Sequence, residues 1–319
     1  MFDALQTSPA WLIGVCTLLG LCVGSFLNVV VYRLPLMLQR DWLSEAREIV
    51  AEIGEGASRR FRVRPPAKAA RAMRSGPWKA KRWAEGREGE ARLSLMFPPS
   101  RCPSCGSRIT ALQNIPVVSW LVLRGKCANC RAPISARYPI VELAAGLLGG
   151  FLAWRFGYSL ALAGSLVFAW ALLALALIDF DTQYLPDVMT LPLLWLGLLV
   201  NLDSAFTTPR ASLLGAVGGY LILWSVYWAF KLLAKKEGMG YGDFKLLAAI
   251  GAWVGWQVLP FVILVSAGLG SAIGIASVVL KGNSTDARMP FGPYLALGGI
   301  VGLVWGRVVT IAWLGYWPS

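Results

Sequence analysis

Four aspartates carry the clearest chemistry in this sequence. Asp179, Asp181 and Asp187 fall in Ile178-Asp179-Phe180-Asp181-Thr182-Gln183-Tyr184-Leu185-Pro186-Asp187, and Asp243 ends Gly240-Tyr241-Gly242-Asp243. Two carboxylates that converge cannot both ionise cheaply. One keeps a proton while the other stays charged, so the pair can act as acid and base on one water. The chain has no histidine. A Ser-His-Asp triad, a Cys-His pair and an H-E-x-x-H zinc site are therefore excluded, which narrows the proteolytic options sharply. Gly238, Gly240 and Gly242 alternate with other residues ahead of Asp243. Such a backbone can be approached closely, and a substrate strand could lie against it. Plainer readings stand beside this one. Asp187 and Asp243 each precede an apolar run and could be helix N-caps. Asp181 could be a solvated loop residue, and Asp179 with Asp243 could line an ion pathway.

The cysteines form a second constellation. Cys102-x2-Cys105 and Cys127-x2-Cys130 are separated by 21 residues. Two such knuckles can supply four thiolates to one tetrahedral Zn²⁺. Pro103 and Gly106 suit the tight turn. Two disulfides are the alternative, and a reducing cytoplasm argues against them. A site closed by four Cys is structural rather than hydrolytic, and would staple a loop domain with little core of its own. Cys16 and Cys22 lie in an apolar run and read as small packing residues.

The elements that must position these residues are membrane helices. The 319 residues are 56% hydrophobic and only 15% charged, with mean hydropathy +0.59. A soluble domain carries about a quarter charged residues. Many of the 15 Trp lie near the ends of apolar runs, as at Trp11, Trp154 and Trp317, which fits interfacial belts. A spanning helix needs roughly 20 mostly apolar residues. The runs Pro9–Val31, Pro139–Phe156, Ser159–Ile178, Val188–Leu202, Ala211–Leu233, Phe244–Val258, Leu259–Leu280 and Phe291–Ile311 predict about eight transmembrane helices. The first does not read as a cleaved signal, because Asp3 is the sole charge before Arg33. The fold class expected is thus an all-α polytopic membrane protein with a cytoplasmic zinc-binding loop domain. Its parts are a first transmembrane segment over 1–32, a basic loop over 33–138 holding the four-Cys subdomain at about 98–138, and a multi-helix membrane domain over 139–319.

Charge sets the direction. Arg33–Tyr138 holds 21 Lys and Arg against 8 Asp and Glu, a net +13 that equals the whole chain's. A basic loop in a membrane protein reads as cytoplasmic and as a contact for anionic lipid, rather than for nucleic acid. With that loop inside, eight spans leave both termini outside and place 27 of the 30 Lys and Arg on the inner side. Asp179, Asp181, Asp187 and Asp243 then share the cytoplasmic surface, joined by Glu142 at the inner end of the second span.

The sequence also resembles the type IV prepilin peptidase family, whose members combine a leader peptidase with an N-methyltransferase. The resemblance rests on ordered motifs: Gly24-Ser25-Phe26-Leu27-Asn28 through Tyr32-Arg33-Leu34-Pro35, then Pro98-Pro99-Ser100-Arg101-Cys102-Pro103-Ser104-Cys105. Asn114-Ile115-Pro116-Val117-Val118-Ser119-Trp120 and Arg137-Tyr138-Pro139-Ile140-Val141-Glu142 follow. Asp179 to Pro192, Gly240-Tyr241-Gly242-Asp243-Phe244-Lys245 and Pro290-Phe291-Gly292-Pro293-Tyr294 complete the set. It implies an inner-membrane enzyme with catalytic Asp179 and Asp243, supported by Asp181, Asp187, Gly240, Gly242 and Glu142. The implied substrates are type IV prepilins or pseudopilins, cut on the cytoplasmic side and then methylated from S-adenosylmethionine. No soluble-type cofactor motif is present, and the place to look for that cofactor is the inner face around Glu142 and the zinc loop, near Gly125 and Lys126. The basic stretch of about 59–92 is longer than the family leads one to expect. A different Gly-x-Gly-Asp membrane protease, an ion-coupled carrier and a structural assembly protein are the rival readings.

Overall fold

The computed structural model describes residues 8–52, 93–110, 112–235, 239–281 and 290–315. The basic stretch 59–92, Gly238 and most of the Lys281–Arg288 segment lie outside them, as do Asp3 and Trp317. The described residues are helical, with only two isolated β-bridges, at Arg101–Arg108 and Lys126–Pro133.

The long helices are α1 (Pro9–Glu52), α3 (Arg137–Phe156), α4 (Leu160–Thr182), α6 (Pro209–Ala234), α8 (Leu259–Lys281) and α9 (Gly292–Leu314). The short ones are α2 (Val118–Val122), α5 (Asp187–Val200) and α7 (Tyr241–Val254). Among the described residues, six helical segments are long and apolar enough to cross a bilayer, one in each long helix. The remaining two expected spans fall on α5 and α7, with 14 residues each. At ~1.5 Å per residue each reaches about 21 Å, short of a hydrocarbon core of about 30 Å. Where α1 was expected to leave the membrane near Val31, the helix itself runs on past Pro35 to Glu52.

The helix ends follow local chemistry. Ser159 accepts from Leu162 N–H at 3.1 Å and opens α4. Thr208 accepts from Ala211 N–H and, with Pro209 in the first turn, opens α6. Both arrangements satisfy amide donors that a helix start leaves orphaned.

Contacts divide the chain into two compact units, one of Met1–Gly24 with Leu143–Ser319, the other of Ser25–Glu142. In the first, α7 is the central element: eleven of its fourteen residues, Asp243, Phe244 and Leu246 to Val254, are buried. It lies closest to α6, where Gly215 and Gly251 face each other so tightly that a Cβ on either would run into the other's carbonyl. Lipid tails are as apolar as leucine, so close backbone packing and interhelical hydrogen bonds, not exclusion from water, hold such pairs together. Asn201 supplies the bonds at the far end of α7. Its Nδ2 donates to the carbonyls of Ala252 (2.9 Å) and Trp253 (3.0 Å), and its Oδ1 accepts from Phe206 and Thr207 N–H. Trp253 Nε1 donates to Leu193 O on α5 at 2.8 Å.

In the second unit the knuckle region is clamped to α1. The buried Arg33 side chain donates to the carbonyls of Ser94 (3.0 Å), Leu95 (3.3 Å) and Pro98 (2.7 Å). Asn28 donates to Tyr138 O at 3.2 Å.

Candidate active site and metal centre

Asp179 lies one turn before the end of α4 and is 5% exposed; Asp243 lies in the first turn of α7 and is 7% exposed. They are close enough for the charge of Asp179 to act on Asp243. Three contacts hold the segments that carry them. Gly292, the first residue of α9, donates its N–H to Asp179 Oδ2 at 2.9 Å. A Cβ there would come within 2.7 Å of that oxygen, so only glycine fits. Gly242 packs on Leu185, whose Cβ would lie 2.8 Å from an added methyl, so the start of α7 can close onto the turn that follows Asp179. Lys245, two residues beyond Asp243, pairs with Asp187 at 2.7 Å. Both partners are partly exposed, so this ion pair is worth about 0–1 kcal/mol and acts as a guide rather than a brace.

The remaining carboxylates are placed less centrally. Asp181 is half-buried in the last turn of α4, two residues from Asp179 and so on a different face. Gly240 precedes α7 as its N-cap, and Asp243 N–H donates to its carbonyl at 3.3 Å. Glu142 belongs to the other unit, where its Oε2 accepts from Val117 N–H at 2.7 Å and its carboxylate also bonds Ser25.

Three contributors have no role assigned by sequence reasoning: Gly292 and Leu185, which stand there only as members of motifs, and Tyr227. Tyr227 is 3% exposed on α6, and its hydroxyl accepts from Tyr241 (3.3 Å) and Lys231 (3.1 Å). Tyr241 opens α7 two residues ahead of Asp243, so this cluster anchors the helix start that carries the carboxylate. The spacing of Tyr227 and Lys231, one helical turn apart, is the signal that could have marked them.

The four cysteines converge. Their Sγ atoms all lie within 4.8 Å of one another, and Cys102 and Cys130 are 3.8 Å apart. Tetrahedral zinc with Zn–S of ~2.3 Å sets sulfurs about 3.8 Å apart, whereas a disulfide needs ~2.05 Å. All four are free thiols in well-matched knuckles. Cys102 N–H donates to Ser107 O and Gly106 N–H to Cys102 O; 25 residues later Cys127 N–H donates to Ala132 O and Arg131 N–H to Cys127 O. Gly106 (φ 73°) and Arg131 (φ 57°) hold the left-handed position of each turn. The Ser107 hydroxyl, 3.0 Å from Cys105 Sγ, is the main cause that lowers this thiol to about 6, helped by the Ser107 backbone and Asn129. The donor set fits a metal that prefers thiolates.

Gly125 and Lys126, the cofactor candidates, lie in the tight turn that leads into the second knuckle. Gly125 N–H donates to Trp120 O and its carbonyl accepts from Ile134, while the Trp120 ring fills the space where a Cβ would be. Lys126 is exposed, and its N–H is spent on Leu123 O.

Residues 18–156 match the model of the bacterial peptidase A24 N-terminal domain, and residues 166–275 match that of the type IV leader peptidase family. A prepilin leader peptidase/N-methyltransferase of Stutzerimonas stutzeri is 47% identical over 314 residues, covering 98% of both chains. One of Pseudomonas aeruginosa is 45% identical over 316 residues, 99% of this chain and 98% of its own. One of Aeromonas hydrophila is 47% identical over 293 residues, 92% of this chain and 90% of its own. No solved structure matches. The likeness runs the length of the chain, and the matched ranges span the positions of the carboxylate pair and of the cysteine knuckles: the chain belongs to the type IV leader peptidase family.

Proposed function

We propose that the chain removes the leader peptide of type IV prepilins and pseudopilins by an aspartic mechanism and N-methylates the new N-terminus. The observation that carries the reading is the pair Asp179 and Asp243, two buried carboxylates within electrostatic reach at helix ends. An amide N–H stabilises negative charge on the oxygen it meets, which suits Asp179, bonded by Gly292, to the charged member. Asp179 takes the proton of the attacking water. Asp243, protonated, polarises the scissile carbonyl and then protonates the leaving amine. Asp187, Asp181, Gly240 and Gly242 support the pair. Acids near helix ends, rather than at mid-span, favour this reading over an ion-coupled carrier.

Zinc on Cys102, Cys105, Cys127 and Cys130 serves structure, consistent with the closed four-thiolate set. S-adenosylmethionine is the methyl donor; it would supply an activated methyl group. The enzyme sits in the cytoplasmic membrane with its large loop inside and both termini outside. Lipid and the substrate's apolar segment are its partners, and nucleic acid is not.

The test compares the wild type with Asp179→Asn and Asp243→Asn, inserted at equal levels, by mass spectrometry of a co-expressed pilin precursor. The wild type should yield a processed N-terminus one methyl group heavier, and both variants should leave the leader in place. Cleavage by both variants would remove the carboxylate pair from the mechanism.

A further inference from the structure

The knuckle subdomain has an apolar face used neither by its cysteines nor by its core. Leu112, Ile115, Val118 and Leu121 recur every third residue through the 3-10 turn Leu112–Asn114 and α2, and Val122 adjoins them. The turn 115–117 separates the two helical pieces, and all five side chains stand exposed along this short segment. Their exposure runs from 42% at Ile115 to 76% at Leu112. Other residues of the segment are committed inward. Trp120 donates from Nε1 to Ile134 O at 3.2 Å and its ring covers Gly125. Val117, in a γ-turn closed by Val118 N–H on Pro116 O, holds φ at 60°, and its own N–H is given to Glu142. A β-branched residue is strained at that φ. The turn therefore survives because Trp120 and Glu142 fix the segment in one orientation, with the stripe outward.

Glu142 is the sixth residue of α3, a helix long and apolar enough to cross a bilayer. The stripe is thus tied to the first two turns of a membrane span. From Leu93 to Val141 the chain has six Lys and Arg and no Asp or Glu. Two of the six, Arg124 and Lys126, directly follow the stripe and are exposed. Large aliphatics beside cations, without acids and at the mouth of a span, have the composition of an element lying in an anionic interface. We propose that Leu112–Val122 docks into the anionic lipid surface of the leaflet at which α3 begins. The five aliphatics enter the boundary between headgroups and acyl chains, and Arg124 and Lys126 meet the phosphates. The proposal does not depend on the peptidase reading.

The test uses the full-length protein in vesicles of phosphatidylcholine and phosphatidylglycerol, with a genetically encoded fluorescent amino acid replacing Val122. Quenching is read with a lipid carrying a nitroxide high on its acyl chain, and separately with aqueous iodide. Several-fold stronger quenching by the lipid nitroxide is expected, weakened in pure phosphatidylcholine and by Arg124→Gln with Lys126→Gln. Quenching by iodide alone would put the stripe in water. Protection from both quenchers would mean that protein, a second copy or another partner, covers it. Either result overturns the proposal, and equal lipid quenching with and without phosphatidylglycerol would overturn its anionic part.

Discussion

At Gly292 a Cβ would sit 2.7 Å from Asp179 Oδ2, so Gly292→Ala cannot keep both the start of α9 and the carboxylate in place. A hydrogen bond to a charged group is worth about 1.5–3 kcal/mol. Gly292→Ala should therefore lower kcat for leader cleavage by about 10- to 100-fold, with KM nearly unchanged and normal membrane insertion. Full activity in a detergent assay with a synthetic precursor would remove the amide from the site. The two aspartates themselves are legible in the sequence, because carboxylates stand out on an apolar background and charge placement puts both on one surface. Gly292 is visible there only as part of a motif. Its contact spans 113 residues of sequence, and nothing local to Pro290–Tyr294 points to Asp179. Tyr227 is hidden for another reason: it is one aromatic among several on α6, and its task emerges only when Tyr241 lands beside it.

Among the helices, α5 and α7 were expected as spans and are each only 14 residues long. Their apolar runs were legible; their lengths were not. A helix surrounded by protein, as α7 is, can be shorter than the bilayer, since its neighbours rather than lipid receive its ends, whereas α5 keeps Val188, Trp195 and Leu199 more than half exposed. Asn201 does this for α7 by taking the Ala252 and Trp253 carbonyls. The tight approach of α6 and α7 has its own test. A side chain on Gly251 meets the Gly215 carbonyl, whereas one on Gly218 meets only Leu259 Cδ1 at 3.9 Å. Overpacking costs about 1–3 kcal/mol or more. Gly251→Val should lower the midpoint of thermal unfolding in detergent and reduce yield, while Gly218→Ala should change neither. Equal loss in both would mean that the contact is not what joins the helices.

Across the whole molecule the membrane helices and the knuckle unit draw on different sources of stability. The first has buried α7 and its polar ties; the second has four thiols, Arg33 and Glu142. Removing metal with a chelator should leave helical content nearly intact and free the four thiols, while the backbone hydrogen bonds of each knuckle hold its turn. In the metal-free protein Cys105, lowered to about 6 by Ser107, is mostly thiolate at neutral pH, and Cys130, raised to about 11, is not. Alkylation followed by mass spectrometry should therefore label Cys105 first and Cys130 last, with labelling of Cys105 falling off only below about pH 6. The metal-bound protein should resist at both. The Arg33 clamp carries a further consequence. It fastens Ser94, Leu95 and Pro98 to the same helix from which the basic stretch departs at Glu52. Both ends of that excursion are anchored independently of what lies between them, and doubling a closed loop costs only about 0.6 kcal/mol. A reporter domain spliced into the segment should therefore leave the helices and the knuckles standing.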